Sequence, residues 1–281
     1  MEKNLKHQLK IHANKIRQGI IEGTFNAKSG HPGGSLSSVE ILTYLYFCEM
    51  NVDTANPKDP DRDRFVLSKG HAAPALYATL AEKGFFPVDE LKLLRKPGKM
   101  LQGHPDMNKI PGVDMSTGSL GQGVSAAVGI ALAGKIDKKD YRVYTILGDG
   151  EIEEGQVWEA AMFAGNRKLD NLTLFVDNNN LQIDGTLDEV NSPYPIAEKF
   201  AAFGFETIEI CGHCYTQIEE AIQKAKTIKD KPVAIIAKTV KGKGVSFMEN
   251  QCGWHGKATN AEEYEVAMAE LKAALAELEE K

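Results

Sequence analysis

The residues best placed to do chemistry lie in the segment 148–185, where polar side chains follow two apolar runs. Asp149 follows the β-branched and aromatic run 141–147, and Asn179 follows the apolar run 172–176. Residues 153–168 lack proline and keep apolar side chains at helical spacing, so the segment predicts a strand, turn, helix and strand. The two strands are then parallel and joined by a right-handed crossover. We therefore expect Asp149 and Asn179 at the carboxyl edge of a parallel sheet, where open α/β sheets bind ligands.

These residue types indicate a metal-bridged diphosphate. Asp149 offers a carboxylate, Asn179 an amide carbonyl, and the loop around Leu181 backbone carbonyls. Mg²⁺ prefers such oxygen ligands and completes its shell with water and phosphate oxygens. Gly148 and Gly150 allow the backbone to approach a phosphate closely, and the following helix N-terminus favours an anion. The alternative is a tight strand-to-helix turn and an asparagine-rich loop that bind no ligand.

The composition argues against several classes of function. The 281 residues carry a net charge of −6, so the chain lacks the basic footprint of a nucleic-acid-binding protein. No apolar run approaches the roughly 20 residues of a membrane span, and residues 1–10 are too polar for a signal peptide. The four cysteines suggest no disulfide framework, which is typical of a reducing compartment. We expect a single domain, 1–281, that is soluble in the cytoplasm, with no membrane or nucleic-acid partner.

Helical and strand patterns alternate along the chain without a linker. Strands are predicted at 65–68, 141–147, 172–176, 206–210 and 232–238. Helices are predicted at 5–25, 38–49, 72–82, 118–135, 153–168, 195–203, 215–226 and 261–280. Residues 84–115 and 185–195 are predicted to be irregular. This alternation predicts an α/β fold in which a parallel sheet carries helices on both faces.

Four of the seven histidines lie in glycine-containing loops: His31, His71, His104 and His255. His71 also follows a predicted strand, so we expect it at the same sheet edge as Asp149. Imidazoles donate hydrogen bonds to phosphate and sugar oxygens and exchange protons near neutral pH. These four residues are therefore candidates for ligand binding or catalysis. For His31 alone, a capping or solvent-exposed imidazole is an equally good interpretation of the loop.

Five motifs, in this order along the chain, resemble those of transketolase, a member of the thiamine-diphosphate enzyme superfamily. They are Ser29-Gly30-His31-Pro32-Gly33-Gly34, Ser68-Lys69-Gly70-His71-Ala72-Ala73, Gly103-His104-Pro105, Thr117-Gly118-Ser119-Leu120-Gly121-Gln122-Gly123, and Gly148-Asp149-Gly150 with Asn178-Asn179. The last of them is similar to the thiamine-diphosphate signature. The likeness extends over nearly the whole chain. It covers only the first half of a usual transketolase, the part that binds the diphosphate.

The resemblance implies thiamine diphosphate as the cofactor, with Mg²⁺ as its metal and Ca²⁺ or Mn²⁺ able to replace it. The implied metal ligands are Asp149, Asn179 and the carbonyl of Leu181. The implied cofactor contacts are His71, Gly118, Ser119, Leu120, Asp149, Gly150, Glu154, Asn179 and His255. The residues implied to be catalytic, because they face the sugar or the reacting centre, are His31, His104 and His255. Ser119 departs from the family pattern, in which proline is commoner.

The same resemblance implies that the active site is incomplete in this chain. In the family, the carboxylate that activates the aminopyrimidine ring and the aromatic pocket around it belong to the second half of the polypeptide. We therefore expect the N-terminal subunit of a split transketolase. It would be active only with a C-terminal, pyrimidine-binding subunit, with two copies of each chain. The expected reaction moves a two-carbon ketol unit from a ketose phosphate to an aldose phosphate, as in the pentose phosphate pathway.

Other interpretations stay open at this point. One is another thiamine-diphosphate enzyme, such as a deoxyxylulose-phosphate synthase or a ketoacid dehydrogenase component. The segment Gly253-Trp254-His255-Gly256 fits transketolase better. Another is a non-catalytic structural or regulatory subunit, which the intact Asp149 and Asn179 argue against. A truncated transketolase is the third.

Cys211-Gly212-His213-Cys214 copies the active-site tetrad of disulfide isomerases. It follows a predicted strand and precedes a predicted helix, a context that lowers thiol pKa values in redox proteins. No thioredoxin-like pattern surrounds it, and the transketolases that the chain resembles commonly carry Asp-Gly-His-Asp here. We predict a structural turn, with a redox role or metal binding by the cysteine pair as the alternatives.

Overall fold

The computed structural model describes residues 1–280, whose centre is a five-stranded sheet in the order β1-β2-β3-β5-β4. The strands are β1 (Arg64–Leu67), β2 (Val143–Gly148), β3 (Leu172–Asn178), β4 (Glu206–Cys211) and β5 (Val233–Lys238). Every neighbouring pair is parallel. The carboxyl ends of all five strands therefore meet at one edge, as the strand–turn–helix–strand pattern predicts.

Both faces of the sheet are covered, because alternate side chains of β1, β2, β3 and β5 enter two separate cores, whereas the edge strand β4 contributes to only one of them. On β3, Leu172, Leu174 and Val176 pack into one core and Phe175 into the other. The core that contains Phe175 includes side chains of the helices at 3–27, 39–44, 73–83, 215–227 and 261–279, and the other core those of the helices at 122–136, 155–166 and 196–202. The predicted α/β fold with helices on both faces of a parallel sheet is confirmed.

The helices alternate with the strands along the chain. Their bounds are α1 Lys3–Ala27, α2 Pro32–Leu36, α3 Val39–Tyr44, α4 Ala73–Lys83, α5 Gln122–Ile136, α6 Gly155–Asn166, α7 Leu187–Val190, α8 Ile196–Ala202, α9 Tyr215–Thr227 and α10 Ala261–Glu279. Within residues 1–280, no helix has both the length and the apolarity that a membrane crossing requires.

Two short helices lie where the sequence predicted loops. In the glycine-rich segment after α1, Pro32 occupies the first turn of α2, where its fixed φ and missing N–H are tolerated. In the segment 185–195, Thr186 and Glu189 cap α7 reciprocally, a signal that hydrophobic periodicity does not reveal. Within the predicted helix 38–49, the last turn, Leu45–Glu49, is a π-helix. The irregular segment 84–115 contains one 3-10 helix, Val88–Leu93.

The last helix packs against the first. α10 buries Ala267, Met268 and Leu271, and the ring of Tyr264 stacks on Phe25 at 4.1 Å between centroids. The side-chain amide of Asn14 donates to the carbonyl oxygen of Leu271 at 3.0 Å, across 257 residues of sequence. α10 therefore completes the core beneath α1.

Candidate functional site

The loops at the carboxyl edge enclose a cavity of about 270 Å³. Nine of the predicted site residues line it: His31, His71, Gly118, Leu120, Asp149, Gly150, Asn179, Leu181 and His255. They come from six separate segments of the chain, and four of these segments follow β1, β2, β3 and β5. The structure thus brings most of the sequence-predicted site together.

Three predicted residues lie outside the cavity wall and are exposed: His104, Ser119 and Glu154. The ring of His104 packs over Gly118, where an added Cβ would lie 3.3 Å from it. Glu154 is the N-cap residue of α6, and its Cβ lies close to Gly121. His104 therefore stands at the rim of the cavity, and Glu154 on the surface beside it.

Asp149 is a buried carboxylate without a cation. Its Oδ2 accepts hydrogen bonds from the backbone N–H of Asn180 at 2.6 Å and the side-chain amide of Asn178 at 3.1 Å. Its Oδ1 accepts from the N–H of Gly150 at 2.9 Å. Burial, and secondly the charge of Asp177, raise the pKa of Asp149 to about 6. Within residues 1–280, no cationic side chain pairs with this carboxylate.

The oxygen donors of the predicted metal site face the same cavity. Asn179 Oδ1 accepts only a long hydrogen bond, 3.2 Å, from the N–H of Leu181, and the Leu181 carbonyl accepts from Nζ of Lys241 at 2.9 Å. Within the described chain, no three His, Cys, Asp or Glu side chains cluster as a metal site. One carboxylate with amide and backbone carbonyls instead suits a hard cation that keeps water and phosphate ligands. Asp149 is the only carboxylate of this predicted ligand set, and within residues 1–280 it forms no ion pair.

Asp177, at the end of β3, has the opposite environment. Its side chain is fully buried, forms an ion pair with the buried Lys69, and accepts hydrogen bonds from the hydroxyls of Ser37 and Thr239. Burial alone would raise the pKa of Asp177, but the Lys69 ammonium and these hydrogen bonds hold it below its usual range. Lys69 also donates to the carbonyl of Gly34 at 2.7 Å. This network ties the ends of β1 and β3 to the loop that carries His31.

Glu151 joins three segments of the cavity wall. Its buried carboxylate accepts hydrogen bonds from the Ser68 hydroxyl and from the backbone N–H groups of Gly121 and Gly148. Burial raises its pKa, and these hydrogen bonds partly oppose that shift. The carboxylate thereby fixes the loop after β1, the start of α5 and the end of β2 relative to one another.

Two glycines explain the cluster of small residues at the start of α5. A Cβ on Gly123 would lie 2.5 Å from the Cα of Ser68, and one on Gly70 would lie 2.7 Å from the backbone nitrogen of Gly118. Neither position accepts a side chain without moving backbone. The Gly118–Leu120 segment can therefore lie directly against the loop that carries His71.

Three imidazoles cluster on one side of the cavity. The rings of His31, His71 and His255 lie 5.3–5.5 Å apart between centroids. Burial, then neighbouring positive charges, lower the pKa of His31 to about 4 and that of His255 to about 3, and hold the pKa of His71 well below 6.5. All three are neutral at pH 7, so each offers one N–H donor and one acceptor nitrogen. Nδ1 of His31 is buried without a hydrogen-bond partner.

Lys241 is a cavity residue that sequence reasoning missed. Its ammonium donates to the Leu181 carbonyl at 2.9 Å and contacts Nδ1 of His255 at 2.8 Å. An ammonium only donates hydrogen bonds, so Nδ1 of His255 accepts and Nε2 carries the proton. Burial lowers the pKa of Lys241 to about 8. Its position in the sequence could have identified it, because Lys241 follows β5 and therefore lies at the carboxyl edge of the sheet.

Lys69, Asp177 and Glu151 were also missed. Lys69 stands next to His71 within a motif already singled out, and Asp177 directly precedes the asparagine pair. Glu151 follows Gly150. The positions of all three residues near strand ends could have identified them as candidates for the site. Their hydrogen-bond and ion-pair partners could not have been predicted, because these lie in segments far apart in sequence.

The Cys211–Cys214 turn contributes a histidine to the protein's framework. Both cysteines are free thiols. Nδ1 of His213 contacts a carboxylate oxygen of Glu40 at 2.8 Å, and its Nε2 accepts from the N–H of Val240 at 2.9 Å. The turn thereby holds the residue that precedes Lys241. These contacts agree with the predicted structural turn.

Comparison with known proteins places the chain in a family. Residues 9–276 match the family model described as "Transketolase, thiamine diphosphate binding domain". The chain is 49% identical to the 6-deoxy-6-sulfo-D-fructose transketolase subunit SqwG of a Clostridium species, and 42% identical to one of the subunits of the apulose-4-phosphate transketolase of Phocaeicola vulgatus. Each alignment covers 96% of both chains.

Comparison with a solved structure supports the same family. The transketolase of Campylobacter jejuni superposes with a TM-score of 0.89 at 32% identity, over 99% of this chain and 46% of that one. The present chain thus spans less than half of that transketolase and nearly the full length of the two subunits. The chain belongs to the family of transketolase thiamine-diphosphate-binding domains.

Proposed function

We propose that this chain is the diphosphate-binding, N-terminal subunit of a split transketolase, forming one domain over residues 1–281 and acting in the cytoplasm. The observation that carries the proposal is the cavity. It combines a buried carboxylate without an ion-pair partner, amide and backbone carbonyl oxygens, and three neutral imidazoles at one sheet edge. The two subunit relatives of equal length support it, because their names describe transketolases divided between chains. A purely structural subunit has no need of a buried, unpaired carboxylate.

In the proposed complex, Asp149, Asn179 and the Leu181 carbonyl hold Mg²⁺, and Ca²⁺ or Mn²⁺ can replace it. The Leu181 carbonyl accepts a hydrogen bond from the Lys241 ammonium, and its second lone pair would be available to the metal. Lys241 and His71 would donate to the diphosphate of the cofactor, with the backbone of Gly118, Ser119, Leu120 and Gly150. When bound, thiamine diphosphate supplies the nucleophilic carbon and the electron sink for the two-carbon fragment.

The remaining imidazoles serve the sugar. His255 presents the Nε2–H that its contact with Lys241 fixes, and its ring lies 5.5 Å from that of His31 and 5.3 Å from that of His71. His31 and His104 donate to sugar oxygens or exchange protons with them. Because His31 and His255 are neutral at pH 7, they can accept a proton without first losing one.

The proposed reaction moves a two-carbon ketol unit from a ketose to an aldose that both carry an anionic end group. Phosphate is the group in the pentose phosphate pathway. The names of the two subunit relatives specify a sulfonated fructose and a sugar phosphate, apulose 4-phosphate. Donor assays with this chain should therefore compare a ketose phosphate, 6-deoxy-6-sulfo-D-fructose and apulose 4-phosphate.

The proposed partner is a pyrimidine-binding subunit, with two copies of each chain. We place the contact on α5 and the segment after Gly155, where Met162 and Phe163 are 59% and 39% exposed. Obligate interfaces of this kind typically exceed about 2,000 Å². Within the complex, Glu154 approaches the cofactor from this surface.

Reconstitution tests the proposal. The purified chain alone should transfer no ketol unit with ketose and aldose phosphates, thiamine diphosphate and Mg²⁺. Adding the pyrimidine-binding half of a split transketolase should restore turnover and give a complex of two chains of each kind. Turnover by the isolated chain would contradict the divided site, and a reconstituted complex that binds the cofactor but transfers no unit from any of the three donors would contradict the reaction.

A further inference from the structure

Arg95 connects the two loops that carry the substrate-facing histidines. Its Nη1 donates to the Ser29 hydroxyl at 3.2 Å, and its Nη2 donates to the Gly103 carbonyl at 3.3 Å. Ser29 lies two residues before His31, and Gly103 directly precedes His104. A single planar guanidinium therefore spans two segments that are far apart in sequence.

The local backbone is built around this side chain. Arg95 adopts a left-handed φ of 60°, which is uncommon for a residue with a Cβ, and its N–H donates to the Leu101 carbonyl at 2.9 Å. A Cβ on Gly103 would lie 3.0 Å from Cζ of Arg95, so the guanidinium lies flat against that glycine. The phenol of Tyr77 donates to the Gln102 carbonyl at 3.0 Å and holds the same loop from beneath.

No carboxylate within residues 1–280 forms an ion pair with Arg95. Its charge instead acts on the histidines: after burial, the Arg95 guanidinium is the next cause that lowers the pKa of both His31 and His104. The other groups facing His31 are His71, His104, His255 and Lys241, and none of them is an acid. An arginine that only stabilised the surface would more commonly pair with a carboxylate.

We propose that Arg95 is a positioning residue for ketol transfer, whose guanidinium sets the distance between the His31 and His104 loops. This role rests on the proposed function of those two histidines. Lysine cannot replace it fully, because one ammonium lacks the planar fork that reaches both oxygen atoms. The bridge itself exists whether or not the histidines act on a sugar, so it can be tested separately from the reaction.

Hydrogen–deuterium exchange of the reconstituted complex tests the bridge. Arg95→Met should raise exchange in both 29–33 and 102–106 by about tenfold or more, the factor that corresponds to losing a charge-assisted hydrogen bond. Arg95→Lys should restore protection in at most one of these segments. Lys96→Met is the matched control, because that exposed ammonium on the same loop bonds only the Asn26 carbonyl and its loss should leave both segments protected.

Kinetics on the same variants test the positioning role. Arg95→Met should lower kcat by about tenfold or more while the dissociation constant of thiamine diphosphate stays within about twofold, and free guanidinium ion should restore part of the rate. Unchanged exchange in either segment overturns the bridge. Increased exchange in both with unchanged kcat overturns the positioning role. If the wild-type complex transfers no ketol unit, the proposed function fails while the exchange result still decides the bridge.

Discussion

Two buried carboxylates at the ends of neighbouring strands differ in how their charge is balanced. The charge of Asp177 on β3 is balanced within the chain by the Lys69 ammonium and by hydrogen bonds from two hydroxyls. Asp149 after β2 has only neutral donors, and burial with the nearby Asp177 charge raises its pKa to about 6. The first carboxylate therefore belongs to a structural ion pair, whereas the second has no cationic partner within residues 1–280 and is the proposed metal ligand.

The difference between the two carboxylates is the basis for proposing Asp149 as a metal ligand. An isolated buried charge is costly, and a group in that position normally pairs or shifts its pKa. Here the nearby ammonium groups go elsewhere: Lys69 to Asp177, and Lys241 to a carbonyl and an imidazole. The metal-free protein therefore keeps Asp149 at a cost in stability that a bound cation would recover.

The largest effect on stability should come from breaking the ion pair between Asp177 and Lys69. Asp177→Asn leaves the Lys69 ammonium buried without a counter-charge, and should lower the free energy of unfolding by about 3–5 kcal/mol. Urea unfolding of the purified chain measures it. The control is Asp170→Asn, which removes a partly exposed pair with Lys135 and should cost about 1 kcal/mol or less. Equal losses in the two variants would contradict the structural role of Asp177.

Removing the unpaired carboxylate should affect binding instead. Asp149→Asn should weaken Mg²⁺-dependent binding of thiamine diphosphate to the reconstituted complex by more than about a hundredfold, since even outer-shell partners of a metal are worth about ten- to a hundredfold. Calorimetric titration gives the dissociation constants. Asp184→Asn is the control, because Asp184 is an exposed carboxylate at the same cavity and should change affinity little. Unaltered affinity in Asp149→Asn would remove Asp149 from the ligand set.

The histidine variants should separate into one that weakens cofactor binding and two that lower turnover. His71→Ala should weaken the cofactor, whereas His31→Ala and His104→Ala should lower kcat by about a hundredfold with little change in cofactor affinity. Steady-state rates beside cofactor titrations separate the two effects. A His31→Ala complex that lost its cofactor but kept full turnover at saturation would reverse the assigned roles.

The two carboxylates should also have opposite pH dependence in the metal-free chain. A carboxyl pKa raised from 3.8 to about 6 means that the folded state binds more protons than the unfolded state between these values, so stability falls as pH rises through that window. Asp149→Asn should abolish this decline and raise stability at pH 7 by roughly 3 kcal/mol. Asp177, whose pKa is lowered, contributes stability above its unfolded pKa that is lost as the pH falls. Urea unfolding from pH 4 to 7, without divalent cations, measures the slope. An identical slope in Asp149→Asn would refute the assignment.

The smallest effect should come from the cysteines. The charge of Glu40, like that of Asp177, is balanced within the chain. Burial alone would raise the pKa of Glu40, but Arg17 and His213 lower it to about 2. The turn at 211–214 therefore serves through His213, and its free thiols make no contact with the cavity. Cys211→Ser with Cys214→Ser should keep turnover within about twofold under reducing conditions. A folded double variant without activity would favour a chemical role for the thiols.

The strand–helix alternation was enough to predict the sheet and its ligand edge. Runs of β-branched residues closed by Gly148 or Asn179 identify strand ends, and parallel pairing brings those ends together. Hydrophobic periodicity did not predict the short helices α2 and α7, because α2 begins at a proline and α7 is capped by Thr186 and Glu189.

The motifs were enough to propose candidate metal and cofactor residues, but they did not reveal how the charges of these residues are balanced. Whether Lys69 pairs with Asp149 or Asp177 depends on side-chain directions at the ends of three strands. The bridge made by Arg95 depends on a left-handed residue in a segment without periodicity. Such contacts join positions far apart in sequence, and a local pattern carries no information about them.

The packing of α10 against α1 also governs the order in which the protein can be completed during synthesis. The Leu271 carbonyl can accept the hydrogen bond from Asn14 only after residue 271 has left the ribosome. Until then, the apolar face of α1 is without its final cover, although the residues of all five strands have already been synthesised. Domains generally fold as units as the chain emerges, and exposed apolar surface makes incomplete chains prone to aggregation. A nascent chain that stops before residue 261 would therefore contain every residue of the proposed metal site and still be a substrate for chaperones.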